Sequence, residues 1–150
     1  MIKFSAIYTG RDTVLRRRRR IMQRASEKPR DHVVVVLGAS PKPTRYSNMA
    51  VRQLQAKGYR VIPVHPKAEA IGNLPVVHSL GDIGEKVQTL TLYLGPLHSR
   101  GQLDGMLALA PERVIFNPGT ESPHLEERLQ TSGIECLHAC TLVMLRSGLF

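Results

Sequence analysis

The sequence predicts an α/β fold: a doubly wound, mostly parallel sheet of about five strands in a three-layer α/β/α arrangement. Three observations carry that prediction. Val33-Val34-Val35-Val36-Leu37 is an unbroken apolar, mostly β-branched run, which suits a strand buried on both faces at the centre of a parallel sheet. The stretch from Val33 to Val64 reads strand–helix–strand, with the length of a right-handed crossover. Beyond it, strand-like runs alternate with helical patterns to the end of the chain.

Each element has a local reason. The first helix runs from a cap at Ser47 or Asn48 through Met49–Lys57, with Ala50, Val51 and Leu54 on one face and Gly58 as its stop. Arg60–Val64 is the second strand. Ala68 to Leu74 reads as an irregular crossing, Pro75–Val77 as a short strand, and Ser79–Ile83 as a loop with a short helix start. Thr89–Leu94 is rich in β-branched and aromatic residues and is broken by Gly95-Pro96. A helix over Ser99–Ala110 places Leu103, Met106, Leu107 and Ala110 on one face, and Pro111 stops it. Arg113–Phe116 is the next strand. Ser122-Pro123 caps and opens a helix to Ser132, since a proline in the first turn loses no hydrogen bond. Ile134–Leu137 is the last strand, and Thr141–Leu145 is an apolar tail expected to pack back on the sheet.

Charge divides the chain. Residues 1–31 hold ten Lys/Arg against Asp12, Glu27 and Asp31, a net +7, whereas residues 32–150 hold eleven against nine, a net +2. The high isoelectric point therefore belongs to a basic leader, expected to be a flexible extension before a domain at 32–150. Arg16 to Arg20 repel one another and favour solvation. Three readings of the leader stand open: a disordered segment, or one preceding a true start at Met22; a short helix packed on the domain; or an arm over residues 11–30 that touches nucleic acid or an anionic surface. No apolar run is long enough to span a membrane, and Met1–Thr9 is too short and polar for a secretory core. Cys136 and Cys140 form neither a disulfide framework nor a zinc spacing with His98, His124 or His138, so a reducing cytoplasm is the expected setting. Cys136 is expected in the core, and His65 in a loop.

The candidate site lies beyond the carboxyl ends of the strands, in loops 38–47, 64–67, 94–98 and 117–121. Gly38 permits a sharp turn and close approach of backbone to ligand. The helix that follows points its amino terminus at that ligand, which suits a phosphate. Gly38-Ala39-Ser40-Pro41-Lys42-Pro43 lacks the second glycine of a dinucleotide fingerprint. The second strand ends in Val64-His65-Pro66-Lys67, with no acid for a ribose hydroxyl but with a cation suited to a phosphate on the ribose. No redox or transfer constellation is evident.

Several motifs occur together in order. Gly38-Ala39-Ser40-Pro41-Lys42-Pro43-x-Arg45-x-Ser47 is followed by Lys57-Gly58-Tyr59-Arg60-Val61-Ile62-Pro63-Val64-His65-Pro66-Lys67. Then come Ile71-Gly72-Asn73-Leu74-Pro75-Val76-Val77-x-Ser79-Leu80-x-Asp82-Ile83, Asn117-Pro118-Gly119-Thr120-Glu121 and Cys140-Thr141-Leu142-Val143-Met144-Leu145. Over residues 32–148 the chain resembles the small stand-alone bacterial CoA-binding domain proteins, whose Rossmann-like fold also forms the N-terminal domain of the succinyl-CoA synthetase α subunit. The resemblance implies coenzyme A or an acyl-CoA as ligand. It implies Gly38, Ala39 and Ser40 under the diphosphate, with Ser47 and Asn48 near the helix start and Lys42 and Arg45 meeting phosphates. It implies Val64 against adenine or ribose, and Pro66-Lys67 at the ribose 3′-phosphate. Leu94, Gly95 and Pro96 would line the adenine pocket, and Asn117, Pro118, Gly119 and Thr120 the pantetheine path. Many relatives carry two hydrophobic–proline pairs where this chain has Leu94-Gly95-Pro96-Leu97-His98. Two alternatives remain: a small NADP-type oxidoreductase or acyl transferase, for which His98 and Glu121 are the available bases, and a nucleic-acid-associated protein acting through the arginine run.

Overall fold

Val33–Leu37 forms β1, and every one of its residues is buried, as the unbroken apolar run requires. A computed structural model describes residues 10–150; Met1–Thr9, read above as too short and polar for a secretory core, lies outside the described residues. β1 pairs in parallel with β2 (Arg60–Val64) on one side and β5 (Thr89–Leu92) on the other. β6 (Arg113–Phe116) and β7 (Glu135–His138) continue the sheet, giving the order β2-β1-β5-β6-β7, all parallel. The chain leaves β1 in one direction to β2 and later enters β5 on the opposite flank. Strand order therefore reverses between β1 and β5, where a doubly wound sheet opens a crevice at its carboxyl edge.

The pleat sends alternate side chains of β1 to opposite faces. Val33, Val35 and Leu37 join Leu90, Leu92, Val114 and Phe116 under α4 (Leu103–Leu109) and α5 (Pro123–Thr131). Val34 and Val36 pack with Val51 and Leu54 of α2 (Tyr46–Ala56) and Leu145 of α6 (Thr141–Ser147). The result is the expected three-layer α/β/α sandwich.

Several elements depart from the local reading. The expected apolar tail is the helix α6, which packs on the sheet through Leu142 and Leu145. Instead of an irregular crossing and a strand at 75–77, Ala70–Ile71 (β3) and Leu74–Pro75 (β4) form a small antiparallel hairpin, turned at Gly72 with φ +60°. Pro75 cannot donate to a central ladder, and Val77 makes only an isolated bridge to Val64. The helix expected over 99–110 begins earlier, at Pro96, as the short α3 (Pro96–Ser99), passes through a 3-10 turn, and resumes as α4. It ends at Ala110, a left-handed C-cap at φ +48° whose N–H donates to Met106 C=O, just before Pro111. The β5 strand stops at Leu92 rather than Leu94, and the last strand is shifted by one residue, to Glu135–His138.

Of the three readings of the leader, the described residues take the form of the helix on the domain: Gly10–Ser26 is α1, tied to the edge strand by Arg24 Nη2 to Glu135 Oε2 at 3.1 Å. Among the described residues no helix is long and apolar enough to cross a membrane.

The amino edge of the sheet carries a buried polar chain. Arg113 Nε donates to Thr89 Oγ1 (2.8 Å), and Thr89 Oγ1 lies 2.8 Å from His32 Nε2. The Thr89 hydroxyl thus accepts from Arg113 and shares a second hydrogen bond with the His32 ring. Tyr59 and Phe150 flank the ring. Burial, followed by the nearby Arg113 and Arg24 cations, pushes the His32 pKa down to about 4. The unfolded chain thus binds the extra proton between about pH 6.5 and pH 4, so this contribution is complete above that window and lost as the pH falls through it. Urea unfolding should show about 2 kcal/mol less stability at pH 5 than at pH 8 from this group, with a shallower slope in His32→Gln; equal slopes would refute the assignment. Ala110→Gly, which relieves the left-handed alanine, should raise stability by about 0.5–1 kcal/mol in the same assay.

Candidate functional site

The crevice between β1 and β5 is built on Gly38. Its φ is +87°, and an ideal Cβ there would lie 2.8 Å from Leu94 Cδ2 and 3.1 Å from the Tyr93 backbone carbon. The glycine is therefore needed for packing between two chain segments, where the sequence alone suggested close approach to a ligand. Gly38 and Ala39 N–H both donate to Val64 C=O, at 3.2 and 3.1 Å, which leaves neither for a diphosphate. Ala39 is fully buried, its methyl in the core beside Val51.

The loop beyond is held from beneath. Asn48 is buried, and its Nδ2 donates to Ser40 C=O at 2.9 Å. Asn48 Oδ1 accepts from Arg52 Nε at 2.9 Å, and Arg52 Nη2 donates to Pro43 C=O at 3.1 Å. Ser40 Oγ accepts from Lys42 N–H at 3.2 Å. Asn48 is thus a loop anchor and Ser47 a buried first-turn residue; the expected cap shifts to Arg45, which makes no side-chain capping bond. The first intrahelical bond is Met49 N–H to Arg45 C=O, so the N–H groups of Tyr46, Ser47 and Asn48 precede the ladder and have no side-chain cap. Lys42 and Arg45 are exposed and form no ion pair among the described residues. A helix amino terminus, uncapped N–H groups and two exposed cations thus lie together, groups of the kind that attract anions.

Beside it, Val64 ends β2, paired with Leu37 at the end of β1. His65 turns the chain: its Nδ1 accepts from Lys67 N–H (3.0 Å) and Ala68 N–H (2.8 Å). This double acceptance puts the ring proton on Nε2 and makes His65 a turn-closing residue. It presents Pro66 and Lys67, both exposed, at the carboxyl edge. The sequence placed His65 in a loop but carried no sign of this acceptor role.

On the other flank, Tyr93 N–H donates to Leu37 C=O (2.9 Å), Leu94 lies over Gly38, and Gly95 caps α3. Pro96 and Leu97 are exposed. Asn117, assigned by resemblance to the pantetheine path, is buried and spends its side chain inside the protein. Its Nδ2 donates to Thr91 Oγ1 (2.7 Å) and Leu92 C=O (2.9 Å), and its Oδ1 accepts from Thr141 N–H (2.9 Å). Thr120 is buried as well, donating to Asn117 C=O at 2.8 Å, whereas Pro118 and Gly119 are exposed. Asn117 therefore joins β5, the loop after β6 and the start of α6. The sequence missed this because Thr141 lies far along the chain.

Glu121 is held below the usual carboxylate range by its own N–H and that of Gly119, so it stays ionised. His98 is exposed on the short α3. His138 Nε2 sits 2.7 Å from Glu126 Oε2 at the end of β7. Burial, then the Glu126 and Glu135 carboxylates, push the Cys136 thiol up to about 12; it packs half-buried against the core, as expected. Among the described residues no His, Cys, Asp and Glu cluster is suited to a metal.

A five-stranded parallel sheet with helices on both faces and this switch point defines a Rossmann-like α/β domain. The chain belongs to the CoA binding domain family, whose pattern matches residues 32–146. Its fold is similar to that of a solved uncharacterized protein, at 40% identity over 79% of this chain and 98% of that one, with a TM-score of 0.76. A Thermus thermophilus protein is 32% identical over 79% of this chain and 90% of its own, with a TM-score of 0.73. The dinucleotide-forming acetyl-coenzyme A synthetase 1 of Ca. Korarchaeum cryptofilum, solved with phosphate and ADP, shares the fold at 22% identity and a TM-score of 0.62, over 71% of this chain but 25% of that one. No curated protein matches the sequence.

Gly38→Ala should destabilise the fold by about 2–4 kcal/mol, from the left-handed backbone and the collision with Leu94 and Tyr93. Urea unfolding measures it; a loss within error of zero would show that the two loops can separate freely.

Proposed function

We propose that the protein binds coenzyme A or an acyl-CoA at the carboxyl ends of β1, β2 and β5, and holds this ligand without transforming it. The observation that carries the reading is the uncapped start of α2, flanked by exposed Lys42 and Arg45 and with Lys67 at the end of the neighbouring strand. Residues 32–150 are the ligand-binding unit, and residues 1–31 are an appendage to it.

In this reading the diphosphate lies on the N–H groups of Tyr46, Ser47 and Asn48, with Ser40 beside it. Lys42 and Arg45 supply charge, arginine adding bidentate geometry. Lys67, presented by the His65 turn and stiffened by Pro66, takes the ribose 3′-phosphate. Val64 supports the ribose or adenine, and Leu94, Gly95 and Pro96 line the adenine side. Pro118 and Gly119 run along the pantetheine arm. Asn117 and Thr120 support that loop from beneath, their side chains being already engaged. Gly38 and Ala39 position the loop by holding it to Val64. The electrostatic share of the affinity makes binding fall with salt.

Isothermal titration of the full chain with CoA, dephospho-CoA, NADP and ATP tests this. CoA should bind saturably and dephospho-CoA more weakly. Lys67→Ala should weaken CoA by about tenfold and remove the difference between the two. Absence of CoA binding, or preference for NADP or ATP, would overturn the reading; an unchanged difference in Lys67→Ala would move the 3′-phosphate elsewhere.

A further inference from the structure

The helix α1 carries a surface that ligand binding leaves unused. Among the described residues eight large apolar side chains are exposed, and four of them lie on this helix: Val14 (54%), Leu15 (58%), Ile21 (56%) and Met22 (73%). Val14 and Ile21, like Leu15 and Met22, are seven residues apart, about two turns, so the four share one face. Arg18 lies within that face and Arg19 borders it, both exposed. The opposite side looks toward the domain. There Arg16, Arg17 and Arg20, with residues 130–137, line a cleft of about 800 Å³, and Arg24 is paired with Glu135. The docked helix thus turns its apolar stripe outward. Residues 14–26 contain no acid.

We propose that α1 is an interfacial helix that seats the protein on anionic lipid surfaces. Val14, Leu15, Ile21 and Met22 enter the boundary between headgroups and acyl chains, while Arg18 and Arg19 meet lipid phosphates. A basic amphipathic helix lying in the membrane plane has this pattern of charge around a narrow apolar stripe. Charge complementarity selects the occupant. A nucleic acid would satisfy the arginines but offers no apolar layer to cover the four exposed side chains. A second copy of the chain, pairing stripe against stripe, would bring the Arg18 and Arg19 cations of both copies together without a counter-charge. An anionic membrane supplies the counter-charge and the apolar layer at once. Since α1 lies along the β7 edge and the ligand crevice opens between β1 and β5, the two surfaces work independently.

Co-sedimentation of the full chain with phosphatidylcholine vesicles, with and without phosphatidylglycerol, tests the proposal. The protein should partition onto the anionic vesicles, weakly onto the neutral ones, and detach as salt rises. Ile21→Ser combined with Met22→Ser should weaken partition by about tenfold or more, and Arg18→Glu with Arg19→Glu by a similar factor, while CoA titration and circular dichroism stay unchanged. The chain has no tryptophan, so Met22→Trp supplies a single reporter whose emission should shift to the blue with anionic vesicles. No partition onto anionic vesicles, or partition indifferent to the serine pair, would overturn the proposal. So would tighter binding to an RNA oligonucleotide than to vesicles, which assigns the helix to nucleic acid. A blue shift that grows with protein concentration in the absence of lipid would instead assign the stripe to a second copy.

Discussion

The contact between Gly38 and the Tyr93–Leu94 turn is the constraint on which the candidate site depends. Strand order reverses between β1 and β5, so the loops after these strands diverge from neighbouring points. They can meet at the base of the crevice only if one of them has no side chain there. Gly38 satisfies both demands at once, a left-handed backbone and the space filled by Leu94. With the base closed, the N–H groups of Gly38 and Ala39 turn to Val64 and bind the end of β1 to β2. The N–H groups left without a partner thereby lie one step along the chain, at the start of α2.

Much of the polar chemistry around the crevice is support. Asn48 and Arg52 hold the Ser40–Pro43 loop, His65 closes the turn that presents Lys67, and Asn117 joins β5 to the start of α6. Buried amides and a ring nitrogen used in this way satisfy backbone groups that a ligand-binding loop would otherwise leave unpaired. The groups left over for a ligand are cations and helix-terminal N–H groups. Burial pushes the Tyr93 phenol up to about 12, so it stays protonated beneath α6.

The opposite edge of the sheet is organised by burial of charge. Arg113 is nearly inaccessible, and burial lowers its pKa to about 10, which still leaves it ionised at neutral pH. It is accommodated by Thr89, by the Phe150 ring 4.7 Å away, and by a His32 forced to remain neutral. The leader helix reaches this region through Arg24 and Glu135. The two ends of the sheet thus divide the work, one edge presenting cations to solvent and the other sequestering them.

The sequence by itself determined the sheet and its order of elements. An all-apolar β1 tolerates no exposed face, and alternation of strands with amphipathic helices leaves a parallel, doubly wound sheet as the way to bury them. It also made the cation Lys67 legible as a candidate ligand contact, because proline and charge at a strand end mark a loop at the carboxyl edge, whereas Lys42 and Arg45 are candidates by the family resemblance. Tertiary structure alone decided which of the neighbouring polar residues are free. Asn117 and Asn48 look like ligand contacts in one dimension; in three they are committed to Thr141 and Ser40. Gly38 looks like room for a ligand and is room for Leu94. The cap of α2 likewise moved, from Ser47 or Asn48 to Arg45, because capping preference is worth about 1 kcal/mol and packing outweighs it. The physical reason is common to all of these. Periodicity and propensity are local and survive without partners, whereas a hydrogen-bond donor or a missing Cβ acquires its role only from the segment that folding brings against it.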